Sequence, residues 1–479
     1  LLSRLIYINA QESASDESKE SSEEKEDEEI INQITLPPIV PAPISSGIES
    51  NTLIQLSSSG VDTTAAATLG AANLRLITNK LTATTAAERA TQLNTYINVI
   101  DAYSNVASDS STVGRRAINP SADLSTIVNS TVTNLTADHI STLGKLDVSH
   151  MKTFASDGIA KIDNFATRVD VTSAMVGSSL DTLDTTKLTS LVDNLHTSLD
   201  GDSLTALKSL EKSHMTTLVG TGDKKIDLTA SFDASVIKKS VKKFATKAEV
   251  TVEFAKAAAP TSGGTVDLSK VDLGAIATNI HANLDDDHLT ALQQLSPTHM
   301  ATMATGVDIT SSAINVGTTL SHFATKAEVV VEFAKAAVPT AVADAAGALD
   351  FSIIKIDEFV TNVHASLDTD HTAALANLDP AHMATMAKGT DLTSGLKVAD
   401  LSHFATKAEV VVEFAKVAAP TASADASGKF DFSAIKIDDF VTSANTLDTD
   451  STKALAKLDP THMATMAKGT DLSAGLKSR

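Results

Sequence analysis

At 479 residues the chain is long enough for several buried cores, yet it has no Trp and only 4% aromatic residues, so its interior must come from Ala, Val, Leu and Ile through many thin contacts. The absence of Cys excludes disulfides, thiolate metal sites and Cys nucleophiles. A formal charge of −21 with no basic stripe excludes nucleic-acid binding, and no run approaches the roughly 18 apolar residues that span a bilayer.

The chain opens with LLSRLIYINA, whose Ala10 before Gln11 suits the tail of a secretory signal, although Ile8 stands where a small residue belongs. The rival reading is a short apolar end. Residues 11–35 are a Ser/Glu tract, and the first fifty residues carry eleven acids against Arg4, Lys19 and Lys25. Such a stretch cannot bury a core, and Pro37, Pro38, Pro41 and Pro43 follow it, so residues 1–50 read as a disordered acidic tail on a stiff linker.

Residues 51–130 are Ala/Thr-rich and read as a helical cap or docking domain. The clearest element is 85–106, where Thr85 and Glu88 have the spacing of a capping box and Leu93, Tyr96, Ile97, Ile100 and Tyr103 share one helical face.

Beyond this the chain repeats itself. One stretch, clearest at 367–386 as LDTDHTAALANLDPAHMATM, occurs five times, beginning at Leu135, Leu199, Leu284, Leu367 and Leu447. Within each copy the same rule operates twice, eleven residues apart: Leu367, Asp368 and His371 are echoed by Leu378, Asp379 and His382. Asp379 suits an N-cap with Pro380 at the first helical position, and Leu378 with Met383 has the spacing of a hydrophobic staple. Leu284 with Leu289, Leu199 with Leu204 and Leu135 with Ile140 repeat that staple. Each half is then a helix too short to stand alone in water.

A second element, FATKAEVVVEFAKAAVP at 323–339, recurs at Phe244 and Phe404 and in altered form at Phe165. Its intervals of 79, 79 and 81 residues set the period. Thr325 and Glu328 suggest a capping box, Ala327, Val330, Val331, Ala334 and Val338 an apolar stripe, Glu332 and Lys335 a polar side, and Pro339 a stop. The joint at 342–359 reads as a loop in which FSIIKI is either a short strand or an extended edge, followed by a helix, DEFVTNVHASL. The expected fold is therefore all-α, a tandem array of about 80-residue units of short helices, divided as 131–164 (partial), 165–243 (degenerate), 244–322, 323–403 and 404–479 (truncated).

All 13 histidines fall in the repeated region. His139, His150, His214, His288, His299, His371, His382 and His462 occupy the third helical position of a half, where Glu or Gln closes a capping box and a neutral imidazole nitrogen can do the same. That role predicts histidine pKa values below the ordinary one and a stability that declines as pH falls. His364, Asp368, Asp370 and His371 also have the ligand types of a metal site, but other copies put Ser203 and Ser451 in place of the second His, so the capping role is preferred and no metal or cofactor is assigned. No GxSxG, HExxH, phosphate loop or dinucleotide fingerprint is present, and no catalytic residue is assigned. Sequons occur at Asn129 and Asn134.

The segments LTADHISTLGKLDVSHM and LDTDHTAALANLDPAHM resemble the short Leu-Thr-x-x-His/Gln-Ile-x-x-Leu helical repeats of very large Ala/Thr/Asp-rich bacterial surface and adhesin-like proteins. The resemblance implies a secreted or cell-surface structural array and carries over no functional residue. This chain departs from it in having His at the third helical position and the FATKAEV helix between units. The expectation is a non-enzymatic spacer, matrix, fibre or adhesion component that associates with itself or with other surface proteins. The alternatives are an amphipathic helical coat on lipid and a virion fibre or tail protein.

Overall fold

The computed structural model describes residues 60–106, 122–181, 183–220, 234–259, 261–262, 265–305, 316–343, 349–388, 390, 392, 396–425 and 429–468. The acidic tail and linker of 1–50 lie outside these residues. The fold is all-α, and the chain divides into two compact units, Leu1–His196 and Thr197–Arg479.

In the first unit the described helices are α1 (Thr63–Thr78), α2 (Ala86–Asn105), α3 (Leu124–Asn134), α4 (Ala137–Leu143), α5 (Val148–Ala155), α6 (Ile162–Val176) and α7 (Thr185–Ser198), whose last two residues cross the division. Helix α2 starts where its capping box places it: Glu88 N–H donates to Thr85 Oγ1 at 3.3 Å and Thr85 N–H to Glu88 Oε2 at 3.4 Å. Leu93, Tyr96, Ile97, Ile100 and Tyr103 are all buried, as the periodicity of 85–106 requires. Helix α1 packs on α2 and α3, while the short trio α3, α4 and α5 packs against α2 and also against α6. The Tyr103 ring of α2 meets the Phe165 ring of α6 with centroids 5.4 Å apart.

The second unit continues with α8 (Gly201–Lys208), α9 (Lys212–Val219), α10 (Ala234–Ala258), α11 (Leu273–Asn283), α12 (Asp286–Leu292), α13 (Pro297–Ala304), α14 (Val316–Ala337), α15 (Ile356–Ser366), α16 (Thr369–Leu375), α17 (Pro380–Ala387), α18 (Val398–Ala418), α19 (Ile437–Asn445), α20 (Thr449–Leu455) and α21 (Pro460–Lys468). One packing order recurs. Long helix α14 contacts α11, α12 and α13 before it and α15, α16 and α17 after it; α18 contacts α15, α16 and α17, then α19, α20 and α21; α10 contacts α8 and α9, then α11, α12 and α13. Consecutive long helices also touch through aromatic edges, Phe254 on Phe323 at 4.7 Å and Phe333 on Phe404 at 4.9 Å.

The paired short helices follow the expected cap chemistry. Leu378 is buried, Asp379 is extended at φ −80 and ψ 164, and its carboxylate accepts the His382 N–H at 2.8 Å while Pro380 supplies the first helical residue without an unused N–H. At seven to nine residues each, the halves are marginal alone, and their stability comes from the long helices they cover.

Several expectations are corrected. Thr325 and Glu328 are not at a helix start: α14 begins at Val316, so they lie in its interior. Thr325 Oγ1 donates instead to the Ser321 carbonyl at 2.8 Å, and Thr246 and Thr406 do the same one turn back. Glu332 is not on a solvated side either, being 5% exposed and joined to Lys335 at 2.6 Å. The physical reason is that the long helix is covered by a trio on each side, so a single apolar stripe understates its burial. In the joints, FSIIKI forms a turn leading into α15; the extended pairing comes earlier, as isolated bridges Ala343 to Leu349 and Ala424 to Phe430, and as the two-residue antiparallel pair β1 (Thr261–Ser262) with β2 (Thr265–Val266).

Candidate functional site

The chemistry-bearing residues gather at the helix starts, which can be built up from α17. Asp379 N–H donates to His382 Nδ1 at 3.3 Å, so in this geometry that nitrogen is an acceptor and Nε2 is the donor. Nε2 lies 3.0 Å from Asp438 Oδ1 at the start of α19. One imidazole thus closes its own helix start and reaches the start of α19. The arrangement recurs at α13, where Ser296 N–H reaches His299 Nδ1 at 3.1 Å and Nε2 lies 2.7 Å from Asp357 Oδ1, and at α5, where Asp147 N–H reaches His150 Nδ1 at 3.2 Å and Nε2 lies 2.9 Å from Thr189 Oγ1. In α9 Glu211 N–H reaches His214 Nδ1 at 3.2 Å.

The first halves turn their third residue toward the following long helix. His139 accepts from Thr136 N–H at 3.0 Å and places Nε2 2.9 Å from Asp170 Oδ2; His288 accepts from Asp285 N–H at 3.4 Å and places Nε2 3.9 Å from Glu328 Oε1. His371 Nε2 lies 3.9 Å from Glu409 Oε1, and Ser203 Oγ donates to Glu249 Oε1 at 2.7 Å. The acids Asp170, Glu249, Glu328 and Glu409 all stand five residues after the Phe that marks the period.

Six of the eight histidines therefore close the expected box. His371 and His462 do not: their own N–H groups reach Asp368 Oδ1 at 2.9 Å and Asp459 Oδ1 at 2.8 Å, and the return bond from the cap N–H is not made. In His288, His371 and His382 the cap carboxylate oxygen also lies 3.0 Å from Nδ1, ready to accept a proton-bearing nitrogen if the ring becomes charged.

That geometry splits the pH response. Burial holds His150 below its ordinary pKa, so its contribution is present above about 6.5 and lost as pH falls through the folded value. Burial would lower His288 too, but the bond to Asp285 and the carboxylates of Glu328 and Asp285 outweigh it and the pKa rises, against the expectation for a capping histidine. Its contribution runs the other way, present at low pH and lost as pH rises. Asp285, despite burial, is held down to about 2 by His288 and its backbone N–H. Burial pushes Glu249, Glu328 and Glu409 each up to about 7.

A second register sets a cation three residues after each Phe. Arg168 bonds Asp157 at 2.7 Å, Lys247 Nζ lies 3.1 Å from His281 Nδ1, and Lys407 Nζ donates to the Asn445 carbonyl at 3.2 Å. Burial lowers the pKa of Lys326 and of Lys407, and burial followed by Lys326 lowers that of His364. His281 is pressed so closely on Gly220, φ +87, that a Cβ there would lie 2.1 Å from the ring. The HASLDTDH group divides: His364 faces Lys326, while Asp368 caps α16 with Oδ1 3.0 Å from His371 Nδ1, and His371 Nε2 turns toward Glu409. Among the described residues no three His, Asp or Glu side chains form a metal-holding group.

An open cavity of about 470 Å³ lies beside α17, lined by Asn377, Asp379, His382, Lys429, Phe430 and Phe432 among others. Its polar groups serve the packing of the joint: Asn377 Oδ1 accepts Phe430 N–H at 2.6 Å, Asp431 accepts Ser433 N–H at 2.9 Å, and Asp379 and His382 hold one another. No described helix is long and apolar enough to cross a membrane. Comparison with protein-family models, curated proteins and solved structures finds no match for the chain.

The cap carries a direct test. Asp379→Ala should lower stability by about 0.5–2 kcal/mol, because it removes the acceptor for His382 N–H. Thr369→Ala, on the exposed first position of α16, should leave the denaturation midpoint within about 0.5 kcal/mol. Equal urea midpoint shifts for the two would contradict the cap.

Proposed function

We propose that the chain is a non-enzymatic structural protein, a tandem helical repeat array serving as a spacer, matrix or adhesion component of a cell surface or extracellular layer. The observation that carries this is the multiplication of the site. An active site needs one constellation held for one substrate, whereas here imidazole, carboxylate and cation recur at fixed offsets in successive units and spend their hydrogen bonds on helix starts and on neighbouring helices. Such a unit cannot bury its faces alone, and the alternation of long helix and short trio gives each one a neighbour on either side.

The lipid-coat reading fares less well, since the apolar faces of the long helices are turned inward: Val329, Val330, Val331, Phe333 and Ala334 of α14 are all buried. The resemblance to large bacterial surface repeats points to the exterior of a cell. Immunogold labelling of intact source cells tests the location. Labelling without permeabilisation is expected, and labelling confined to permeabilised cells would overturn the surface role.

A further inference from the structure

Helix α10 departs from the other long helices in its first turns. Counted back from the Phe that marks the period, Lys238, Lys239, Lys242 and Lys243 stand six, five, two and one residues before Phe244, whereas the same four positions before Phe165, Phe323 and Phe404 hold no Lys or Arg. At 3.6 residues per turn the four lysines share an arc of about 140°, and the buried Ile237, Val241, Phe244 and Ala248 lie on the opposite side of the helix. Lys243 is spent on Asp286 of α12 at 2.6 Å. Lys239 is exposed, Lys238 and Lys242 are half-exposed, and none of these three has an ion pair or hydrogen bond among the described residues. Lys238 with Lys242, and Lys239 with Lys243, are like charges four apart, a spacing that works against the helix. Fold stability does not account for them, because the other long helices are built without them.

The chain, with a net charge of −21, gathers the complement of this face in one stretch. Residues 12–29 carry ten acids against Lys19 and Lys25, with Glu23, Glu24, Glu26, Asp27, Glu28 and Glu29 inside seven residues. We propose that the lysine face of α10 is a docking surface for the acidic tract of residues 12–29 of a second copy of this chain. Charge complementarity selects an acidic peptide as the occupant. Three lysines without partners fall short of the roughly six to ten phosphate contacts of a nucleic-acid site, in keeping with the exclusion of that class. The second copy as the source rests on the reading of the chain as a matrix or spacer component: a tract of one copy seated on the body of another is a heterologous contact, which continues from copy to copy and need not close.

The test is sedimentation velocity of the full chain. Wild type should associate in about 0.05 M salt and separate in about 0.5 M, because the contact joins exposed charges. Two variants should each be monomeric in both: a face variant with Lys238→Glu, Lys239→Glu and Lys242→Glu, and a tract variant with Glu23→Gln, Glu24→Gln, Glu26→Gln, Asp27→Asn, Glu28→Gln and Glu29→Gln. Mixed in low salt, the two should form a one-to-one complex, since each supplies the part that the other lacks. The tract variant changes no described residue, so it keeps the test decisive if the face variant melts early. A wild type that is monomeric in low salt, association that either variant leaves unchanged, or a mixture that stays monomeric would overturn the proposal. Capture of a monomeric wild type on anionic phospholipid vesicles would also overturn it, by assigning the lysines to a lipid surface. A monomeric chain that is labelled on intact cells fails this inference alone and leaves the surface role standing.

Discussion

With Glu249, Glu328 and Glu409 replaced together by glutamine, the chain should be more stable at pH 8 by several kcal/mol and nearly unchanged in stability at pH 4. Burial holds each carboxyl up to about 7, against 4.5 for the free side chain. Between these values the folded state keeps protons that the unfolded state has released, so wild-type stability declines as pH rises from about 4.5 and the full cost is present above about 7. Glutamine is neutral throughout and keeps an oxygen for the Ser203 hydroxyl. The groups facing the three acids act in the same direction or in a separable one. Asp200, Asp202 and Glu253 raise Glu249, and Asp368, Asp370 and Glu413 raise Glu409. Asp285 and Asp287 raise Glu328, while His288 and Lys429 lower it. Wherever His288 is charged, loss of its carboxylate neighbour narrows the gain, so the gain is largest at the alkaline end of the range. After allowance for structural relaxation each site is worth about 1–3 kcal/mol. Urea unfolding from pH 4 to pH 8 measures it, and a variant weaker than wild type at pH 8 would show that the fold needs the charges.

The other large effect belongs to the long helices. Phe323→Ala should cost about 3–5 kcal/mol, because Phe323 is 2% exposed and its removal leaves a cavity between α10 and α14. Phe254 meets it edge-on, with planes at 81°, and a double-mutant cycle with Phe254→Ala should return a coupling of about 0.5–1.5 kcal/mol. Denaturant midpoints of the two single variants and the double provide the cycle. Strict additivity would mean that the two helices do not depend on one another.

The short helices were legible because their signals are local: Asp379, Pro380 and His382 specify a start within four residues, and the structure uses all three. The apolar stripe of α14 was legible from its spacing for the same reason. What escaped was everything set by neighbours in space. Glu328 looked like a cap residue because Thr325 precedes it by three, yet its position is fixed by His288, forty residues earlier, and by burial under the trio that contains it. The same holds for Lys247 and His281, whose pairing depends on how α11 lies on α10. A signal did exist in the sequence: the acid at the fifth residue and the cation at the third after Phe recur in all four copies, and a solvated face would have no need to keep charge sign at both offsets. Tyr103 stands ten residues after Leu93 as Phe254 does after Phe244, and it meets α6 through Phe165.

The claim that the repeated histidines are parts of the fold is tested most directly by side-chain ¹⁵N NMR of the histidine-labelled chain at pH 8, with resonances assigned by single His→Gln variants. A backbone N–H donated to Nδ1 leaves the ring proton only one place, so His139, His150, His214, His299 and His382 should be Nε2–H tautomers with Nδ1 shifts characteristic of a hydrogen-bonded acceptor. Nδ1–H tautomers, or rings exchanging freely between the two forms, at these positions would contradict it.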